Sequence, residues 1–269
     1  MFAARENLAR ENLAVPEGDR SVRSQESSEA PAGSVSAGAS GSDSAGASGS
    51  DSAGVPIAFF DLDGTLVAGQ TQRLLVGFLR KEGMVSRRFV LGTAVWFAGY
   101  RLGLVEAGEQ ARARGAELLA GLPEEQVADL MSRFREQVLA PRLFAPAVAA
   151  LCGHRERGDR VIILSAAFEP LVAALARRLG VDEFFATRLE RAHGTYTGRV
   201  EGKALYGEEK AAAARVALAA AGVDAGLCWA YADHETDVGL LRMVGNPVAV
   251  RPKPGLKRVA ESEGWPIIG

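Results

Sequence analysis

The stretch Phe59-Phe60-Asp61-Leu62-Asp63-Gly64-Thr65-Leu66 ties an apolar run to two carboxylates spaced two apart and then to a Gly-Thr turn. The run begins at Val55-Pro56-Ile57-Ala58 and lacks polar alternation, the pattern of a short strand buried on both faces of a parallel sheet. A chain leaving such a strand delivers its next residues to the carboxyl edge of the sheet, where open α/β folds hold their ligands. Two acids on either side of a Leu at that edge are costly as mere structure. They suit a magnesium ion and a phosphoryl group.

Beyond this stretch the pattern turns helical and stays so from about 70 to 140. Leu74, Leu75, Phe78 and Leu79 share one face, and further helical stretches at 86–105, 106–120 and 123–140 follow, with a break at Gly121-Leu122-Pro123. Strands and helices then alternate. Arg160-Val161-Ile162-Ile163-Leu164 reads as a strand, 168–179 as a helix ending at Gly180, and Phe184-Phe185-Ala186-Thr187 as a strand. Gly194-Thr195-Tyr196-Thr197-Gly198 marks a β-hairpin, and 207–221 is a helix closed by Gly222. Cys228-Trp229-Ala230-Tyr231-Ala232 and Pro247-Val248-Ala249-Val250 supply two more strands. The expectation is an α/β protein: a doubly wound, Rossmann-like parallel sheet built from 55–66 and 141–269, with an all-helical cap at 67–140 inserted after the first strand.

Residues 1–54 differ in kind. Ala-Arg-Glu-Asn-Leu occurs twice in tandem (4–8 and 9–13), and Ser-Ala-Gly-Ala-Ser-Gly-Ser-Asp occurs twice (36–43 and 44–51). Such small polar residues bury too little apolar surface to offset ordering entropy, which predicts a disordered tail. The tail carries four Arg against eight Asp and Glu, so the net −2 of the chain leaves +2 on residues 55–269, no footprint for nucleic acid. Cys152 and Cys228 are isolated, which speaks for a reduced, cytoplasmic setting and against structural zinc. The first residues show no apolar secretory core. The apolar run from Phe89 to Tyr100 is shorter than the ~20 residues of a membrane span. Preceded by Arg80, Lys81, Arg87 and Arg88, it reads as a helix packed within the cap, with weak peripheral membrane contact as the alternative. Nothing in the pattern sets an oligomeric state.

Four segments end where they could face one crevice: Asp61/Asp63, Ser165, Lys210 and Asp233/Asp237. A carboxylate can attack phosphorus, and a second carboxyl two residues on can protonate the leaving oxygen and later take a proton from water, provided the two pKa values are pushed apart. Ser165 offers a hydroxyl to a phosphoryl oxygen, with N–H groups of the following helix start nearby. Lys210 neutralises charge on the equatorial oxygens, and Asp233 adds an oxygen ligand for Mg²⁺. The competing readings are ordinary ones: Ser165 as a helix N-cap, Lys210 as a surface lysine, Asp233 and Asp237 as acids favoured at a helix start. His234 reads as a surface residue and stays outside the catalytic set. Gln70 and Gln72 either face substrate or solvate the cap.

The order of these motifs resembles the haloacid dehalogenase-like phosphohydrolases, most closely their phosphoserine-phosphatase-like branch with a helical cap after the first motif. The resemblance spans 55–269 and rests on Asp61-Leu62-Asp63-Gly64-Thr65, Leu164-Ser165, Gly207-Glu208-Glu209-Lys210 and Asp233-His234-Glu235-Thr236-Asp237. It implies Asp61 as nucleophile and Asp63 as general acid and base. It also implies Asp61, Asp63 (through its carbonyl) and Asp233 around Mg²⁺, and Asp237 orienting Lys210 or reaching the metal through water. Thr65, Ser165, Ala166, Lys210 and Gln70 would contact phosphate or substrate. The implied activity is hydrolysis of a small phosphate ester through an aspartyl-phosphate. Gln70 stands where phosphoserine-hydrolysing members carry a Glu, and Thr236 where they carry an Asn, so the substrate stays open among phosphoserine, another phosphorylated metabolite and a phospholipid-derived ester. A phospho-accepting signalling module also gathers acids, a hydroxyl and a Lys around magnesium, but without the helical insert or an acid/base two residues after the acceptor. A non-catalytic scaffold tethered by the tail is the remaining alternative.

Overall fold

A computed structural model describes residues 54–85 and 108–269, all within one unit spanning 53–269. The low-complexity tail up to residue 53, the helix expected at 86–105 and the apolar run 89–100 lie outside the described residues.

Six parallel strands form the sheet: β1 (Ile57–Phe60), β2 (Arg160–Phe168), β3 (Glu183–Thr187), β6 (Trp229–Ala232), β7 (Asn246–Val250) and β8 (Ile267–Ile268). A separate antiparallel hairpin pairs β4 (Leu189–Ala192) with β5 (Thr195–Val200). The strand order β3-β2-β1-β6-β7-β8 means the chain winds outward on one side of β1 and returns to wind outward on the other. The reversal falls between β1 and β6, the crevice where such sheets bind ligands. β1 explains its own place: all four residues are fully buried, and successive side chains enter opposite layers. Ala58 and Phe60 join one apolar cluster and Ile57 and Phe59 the other.

The first layer holds α4 (Ala145–Glu156), α5 (Glu169–Leu179) and the described cap helices, α1 (Thr71–Lys81), α2 (Gly108–Glu117) and α3 (Glu124–Phe134). In α1 the buried Leu75, Phe78 and Leu79 recur at helical spacing, and α5 buries Leu171, Val172, Leu175 and Leu179 in the same way before Gly180 closes it at φ 63°. The second layer holds α6 (Glu208–Ala221), α7 (Val238–Met243) and α8 (Pro254–Glu263). The hairpin belongs to the cap side: Gly121 and Tyr196 N–H groups and the Tyr196 and Leu122 carbonyls link β5 to the turn between α2 and α3. Among the described residues no helix is long and apolar enough to cross a membrane.

The alternation expected from sequence is therefore present, with differences. β2 runs on to Phe168 because Ala166-Ala167-Phe168 continues the buried run, and α5 begins only at Glu169, with Pro170 in its first turn. The helix α4 and the terminal elements α7, α8 and β8 complete the two layers, and they lie in stretches the sequence pattern leaves unassigned.

Candidate active site

Asp61 leaves β1 at the β1/β6 switch point, its N–H donating to the Tyr231 carbonyl at 2.9 Å. Tyr231 is fixed in turn: its ring stacks on Phe60 with centroids 4.2 Å apart, and its hydroxyl meets Nε2 of the buried His154 at 2.8 Å. The turn after Asp61 folds back on itself through Val67 N–H to Leu62 C=O (2.9 Å) and Gly64 N–H to Val67 C=O (2.9 Å). Gly64 takes φ +88°, and a Cβ there would lie 2.0 Å from Oδ2 of Asp233, so only glycine lets that carboxylate approach.

Asp61 is buried and held on both oxygens. Lys210 Nζ donates to Oδ1 at 2.5 Å and Thr65 Oγ1 donates to Oδ2 at 3.1 Å. The same ammonium donates to Asp237 Oδ2 at 2.9 Å, while Asp237 Oδ1 is buried with no hydrogen-bond partner among the described residues. Burial alone would pull the Lys210 ammonium down, but the charges of Asp61 and Asp237 more than offset this and hold its pKa above the lysine range. Lys210 is thus a committed cation in the floor of the site, not a surface lysine. Burial pushes the Asp237 carboxyl up, against the pull of Lys210.

Asp63 points elsewhere. Its Oδ1 accepts the Thr71 N–H at 2.8 Å and its Oδ2 pairs with Thr71 Oγ1 at 3.1 Å, so it caps the first turn of α1 from outside the helix. Burial first, then the Asp61 charge, raises its pKa from 3.8 to about 6, with the Thr71 bonds acting in the opposite sense. Asp233, at the end of β6, is likewise raised from 3.8 to about 6 by burial and by Asp61, although Lys253 Nζ lies 3.4 Å from Oδ2.

These groups open on a cavity of about 240 Å³ lined by Asp61, Asp63, Lys210, Asp233 and Asp237, with Gln70, Gln72, Ala166 and Tyr206 around them. The structure thus brings together most of the residues singled out in the sequence. Ser165 and Thr65 do not line this cavity. Thr65 is fully buried and directs its hydroxyl to Asp61. Ser165 lies inside β2, not at a helix N-cap, and its Oγ accepts the Ala167 N–H at 3.1 Å; the helix start is four residues away. The main-chain groups beside it belong to the irregular end of β2, where the register with β3 shifts. His234 lines the cavity and caps the following turn, its Nδ1 accepting the Thr236 N–H at 3.2 Å. Lys253 was missed by motif order; the signal was Pro252-Lys253-Pro254, a lysine at the start of α8.

A divalent cation fits this set. Among the described residues no three Asp, Glu, His or Cys side chains converge at ligand distance, and Mg²⁺ does not require three: it takes one or two carboxylates and keeps waters. Asp61 and Asp233 would supply the carboxylates, and the Asp63 main-chain carbonyl lies on the turn that follows Asp61. Burial lifts the Asp63 and Asp233 pKa values most and the Asp61 charge adds to it; that second, electrostatic part is what a cation would relieve.

The fold and site define a doubly wound α/β protein with carboxylates and a buried lysine gathered at the switch point of its sheet. The chain belongs to the haloacid dehalogenase-like hydrolase family, whose model matches residues 58–242. It is 34% identical over 214 residues to the inhibition of morphological differentiation protein of Streptomyces azureus, covering 78% of this chain and 77% of that one. It is 32% identical over 213 residues to a phosphoserine phosphatase of Mycobacterium tuberculosis, covering 78% and 69%. Among solved structures, a protein of unknown function from Bordetella pertussis Tohama I superposes with TM-score 0.73 at 31% identity, covering 80% of this chain and 99% of that one.

Proposed function

We propose that the protein is a Mg²⁺-dependent phosphomonoesterase that works through an aspartyl-phosphate on Asp61 and acts on a small phosphorylated metabolite. The observation that carries the reading is the division of labour between two acids two residues apart. Asp61 is tied to a buried ammonium and a hydroxyl and lines the cavity. Asp63 sits in a setting that lifts its pKa to about 6, within range of proton transfer near neutrality.

When bound, the metal would be held by Asp61, Asp233 and the Asp63 carbonyl, and it would neutralise charge on the transferring phosphoryl group. Asp61 Oδ attacks phosphorus while the P–O bond to the alcohol breaks. Both Asp63 oxygens accept from Thr71, Oδ1 from the fixed N–H and Oδ2 from the hydroxyl; the hydroxyl can rotate away and the N–H cannot, so Oδ2 is the oxygen that takes up the transferable proton and delivers it to the leaving oxygen. The resulting carboxylate then takes a proton from the water that attacks the acyl phosphate, releasing phosphate and regenerating Asp61. Lys210, fixed between Asp61 and Asp237, places positive charge beside the equatorial oxygens throughout. Residues 67–140 act as the cap that excludes bulk water and selects the ester. The similarity to a phosphoserine phosphatase supports the reaction class more than the substrate, since Gln70 presents no charge to a substrate amine.

The test is a panel of phosphate esters assayed with Mg²⁺ on wild type and Asp61→Asn. The wild type should release phosphate with turnover, and the variant should lose about 10⁴-fold or more in kcat while remaining folded. Absence of phosphate release from every ester by the folded wild type would remove the reading. A single stoichiometric phosphorylation without turnover would replace it with the signalling module.

A further inference from the structure

The catalytic turn is gripped from a side that the chemistry above does not use. Arg251 follows β7 and takes φ +40°, a left-handed backbone that a non-glycine residue rarely holds. Its N–H is pinned by the Ile268 carbonyl of β8 at 2.7 Å, so the C-terminal strand enforces the conformation. The consequence is directional. The side chain turns back across the sheet edge, past β6, to the turn that follows β1.

There one Nη2 donates to the Gly64 carbonyl at 2.7 Å and lies 3.4 Å from that of Val67. The guanidinium carbon stands 4.1 Å from the centre of the Phe144 ring. Nε–H is buried without an acceptor among the described residues, so the side chain is not arranged to satisfy its own donors fully. Phe144 is the point where the chain re-enters the core from the cap. Its N–H donates to the Leu66 carbonyl (2.9 Å), Leu143 bridges to Val67, and the Ala68 N–H donates to the Arg142 carbonyl (2.7 Å). The two crossings between core and cap therefore run side by side, and Arg251 touches both: the outgoing one through Gly64 and Val67, the returning one through Phe144.

We propose that Arg251 is a positioning residue for the hydrolysis, a clasp that fixes the turn carrying Asp61 and Asp63 to the cap's return segment at Phe144. The inference rests on the phosphatase reading for its kinetic consequence, but not for the clasp itself. A planar, forked cation that bonds carbonyls while stacking on a ring is a role for Arg, which Lys does not reproduce. A misplacement of reacting groups by about 1 Å costs on the order of 10²-fold, so a loosened turn should be read in kcat.

The variants are Arg251→Gly, which accepts the left-handed backbone without strain, Arg251→Met, which keeps apolar bulk, Arg251→Lys, and Phe144→Leu. Two readouts are taken on the full chain: amide hydrogen exchange over residues 62–68 and 142–145, and steady-state hydrolysis of p-nitrophenyl phosphate with Mg²⁺. Arg251→Gly and Arg251→Met should speed exchange in both segments together by about tenfold. They should also lower kcat by about 10²-fold with KM changed by less than about threefold, and Arg251→Lys should recover only a minor part. Millimolar guanidinium should raise kcat of Arg251→Gly several-fold and leave the wild type unchanged. Phe144→Leu should lower kcat in the wild type and have no further effect in Arg251→Met. Unchanged exchange in either segment overturns the clasp, whether or not the protein proves to be a phosphatase. Faster exchange or a lower Tm with kcat per folded enzyme unchanged overturns the positioning role and leaves only a structural one. If Arg251→Gly fails to fold, the same decisions are read from Arg251→Met and Arg251→Lys.

Discussion

The floor and the rim of this site are built on opposite principles. In the floor, Asp61, Lys210 and Asp237 are each no more than 4% exposed, and Lys210 bonds both acids, so their positions are fixed before any ligand arrives. At the rim, Gln70 is exposed, Gln72 and Tyr206 are uncharged, and Asp63 is tethered not to the floor but to Thr71 on the first cap helix. Preorganised charge in a dry floor suits a reaction common to all phosphate esters, because its value lies in the transition state and not in the leaving group. A more exposed rim suits a choice among leaving groups. On the mechanism proposed above, reaction and selectivity fall to different strata, and Asp63, tethered to Thr71 and lining the cavity with Asp61, joins them.

Changes in the floor should have the largest effects. Lys210→Met leaves Asp61 and Asp237 buried beside each other with no cation. Breaking such a pair on one side typically costs about 3–5 kcal/mol of stability. Loss of the charge facing the phosphoryl group should lower kcat by about 10²–10³-fold as well. The division is sharpened by the double variant Lys210→Met/Asp237→Asn, which should regain Tm but not kcat. Recovery of activity along with Tm would mean that Lys210 acts only as a structural counter-ion.

Thr71→Val tests the join, with a smaller effect. The Thr71 hydroxyl bond lowers the Asp63 pKa, since it favours the carboxylate. Its removal should move that pKa upward, so the limb of the pH–rate profile set by Asp63 should shift toward alkaline pH. At a fixed pH the change in kcat should stay within about tenfold. A shift toward acid, or none, would show that the hydroxyl does not act on the proton Asp63 carries.

Metal and pH give a weaker but cleaner comparison of floor and turn. The folded protein holds protons on Asp63 and Asp233 up to about 6, against 3.8 for the free groups. Between these values the folded state binds more protons than the unfolded one, so these two acids reduce stability as pH rises from about 4 to about 6, with no further change above. A divalent cation reverses the penalty, and the gain in Tm from Mg²⁺ should be larger at pH 7 than at pH 5, by about 5 °C. Asp233→Asn should raise the metal-free Tm at pH 7 and abolish the Mg²⁺ gain. An equal gain at both pH values would remove Asp233 from the metal site.

The floor was also the legible part. A strand ending in Asp61-Leu62-Asp63-Gly64-Thr65 declares itself because burial, periodicity and turn chemistry agree over ten residues. Lys210 and Asp237 could be placed because each sits at the start of a helical element. What the sequence did not disclose depends on distance across the fold. Arg251 and Lys253 reach the site only because β7 lies two strands from β1, and nothing local marks an arginine that will adopt φ +40°. The run of β2 past Ser165 was hidden for a local reason: Ala166-Ala167-Phe168 is compatible with either a helix start or a continuing strand. Pro170 in the first turn of α5 is the feature that separates them. The Asp63–Thr71 pair was invisible for a third reason, since a side chain capping a helix from eight residues upstream follows no capping rule.

The smallest effect is expected at the rim, and it bears most directly on the substrate. Gln70 precedes the first turn of α1 with no cap bond from its side chain, and it lines the cavity beside Asp63. Gln70→Glu adds a carboxylate without changing size, at a helix N-terminus that tolerates negative charge. An exposed carboxylate paired with a substrate ammonium gains up to about 1 kcal/mol, or about fivefold. The ratio of kcat/KM for O-phospho-L-serine to that for an ester without an amine should therefore rise by roughly this factor, while kcat for the second ester stays level because the floor is untouched. If both esters change together, Gln70 bears on Asp63 and not on the leaving group, and the separation of floor from rim is broken at this residue. If neither changes, the amine of such a substrate is read by another part of the cap.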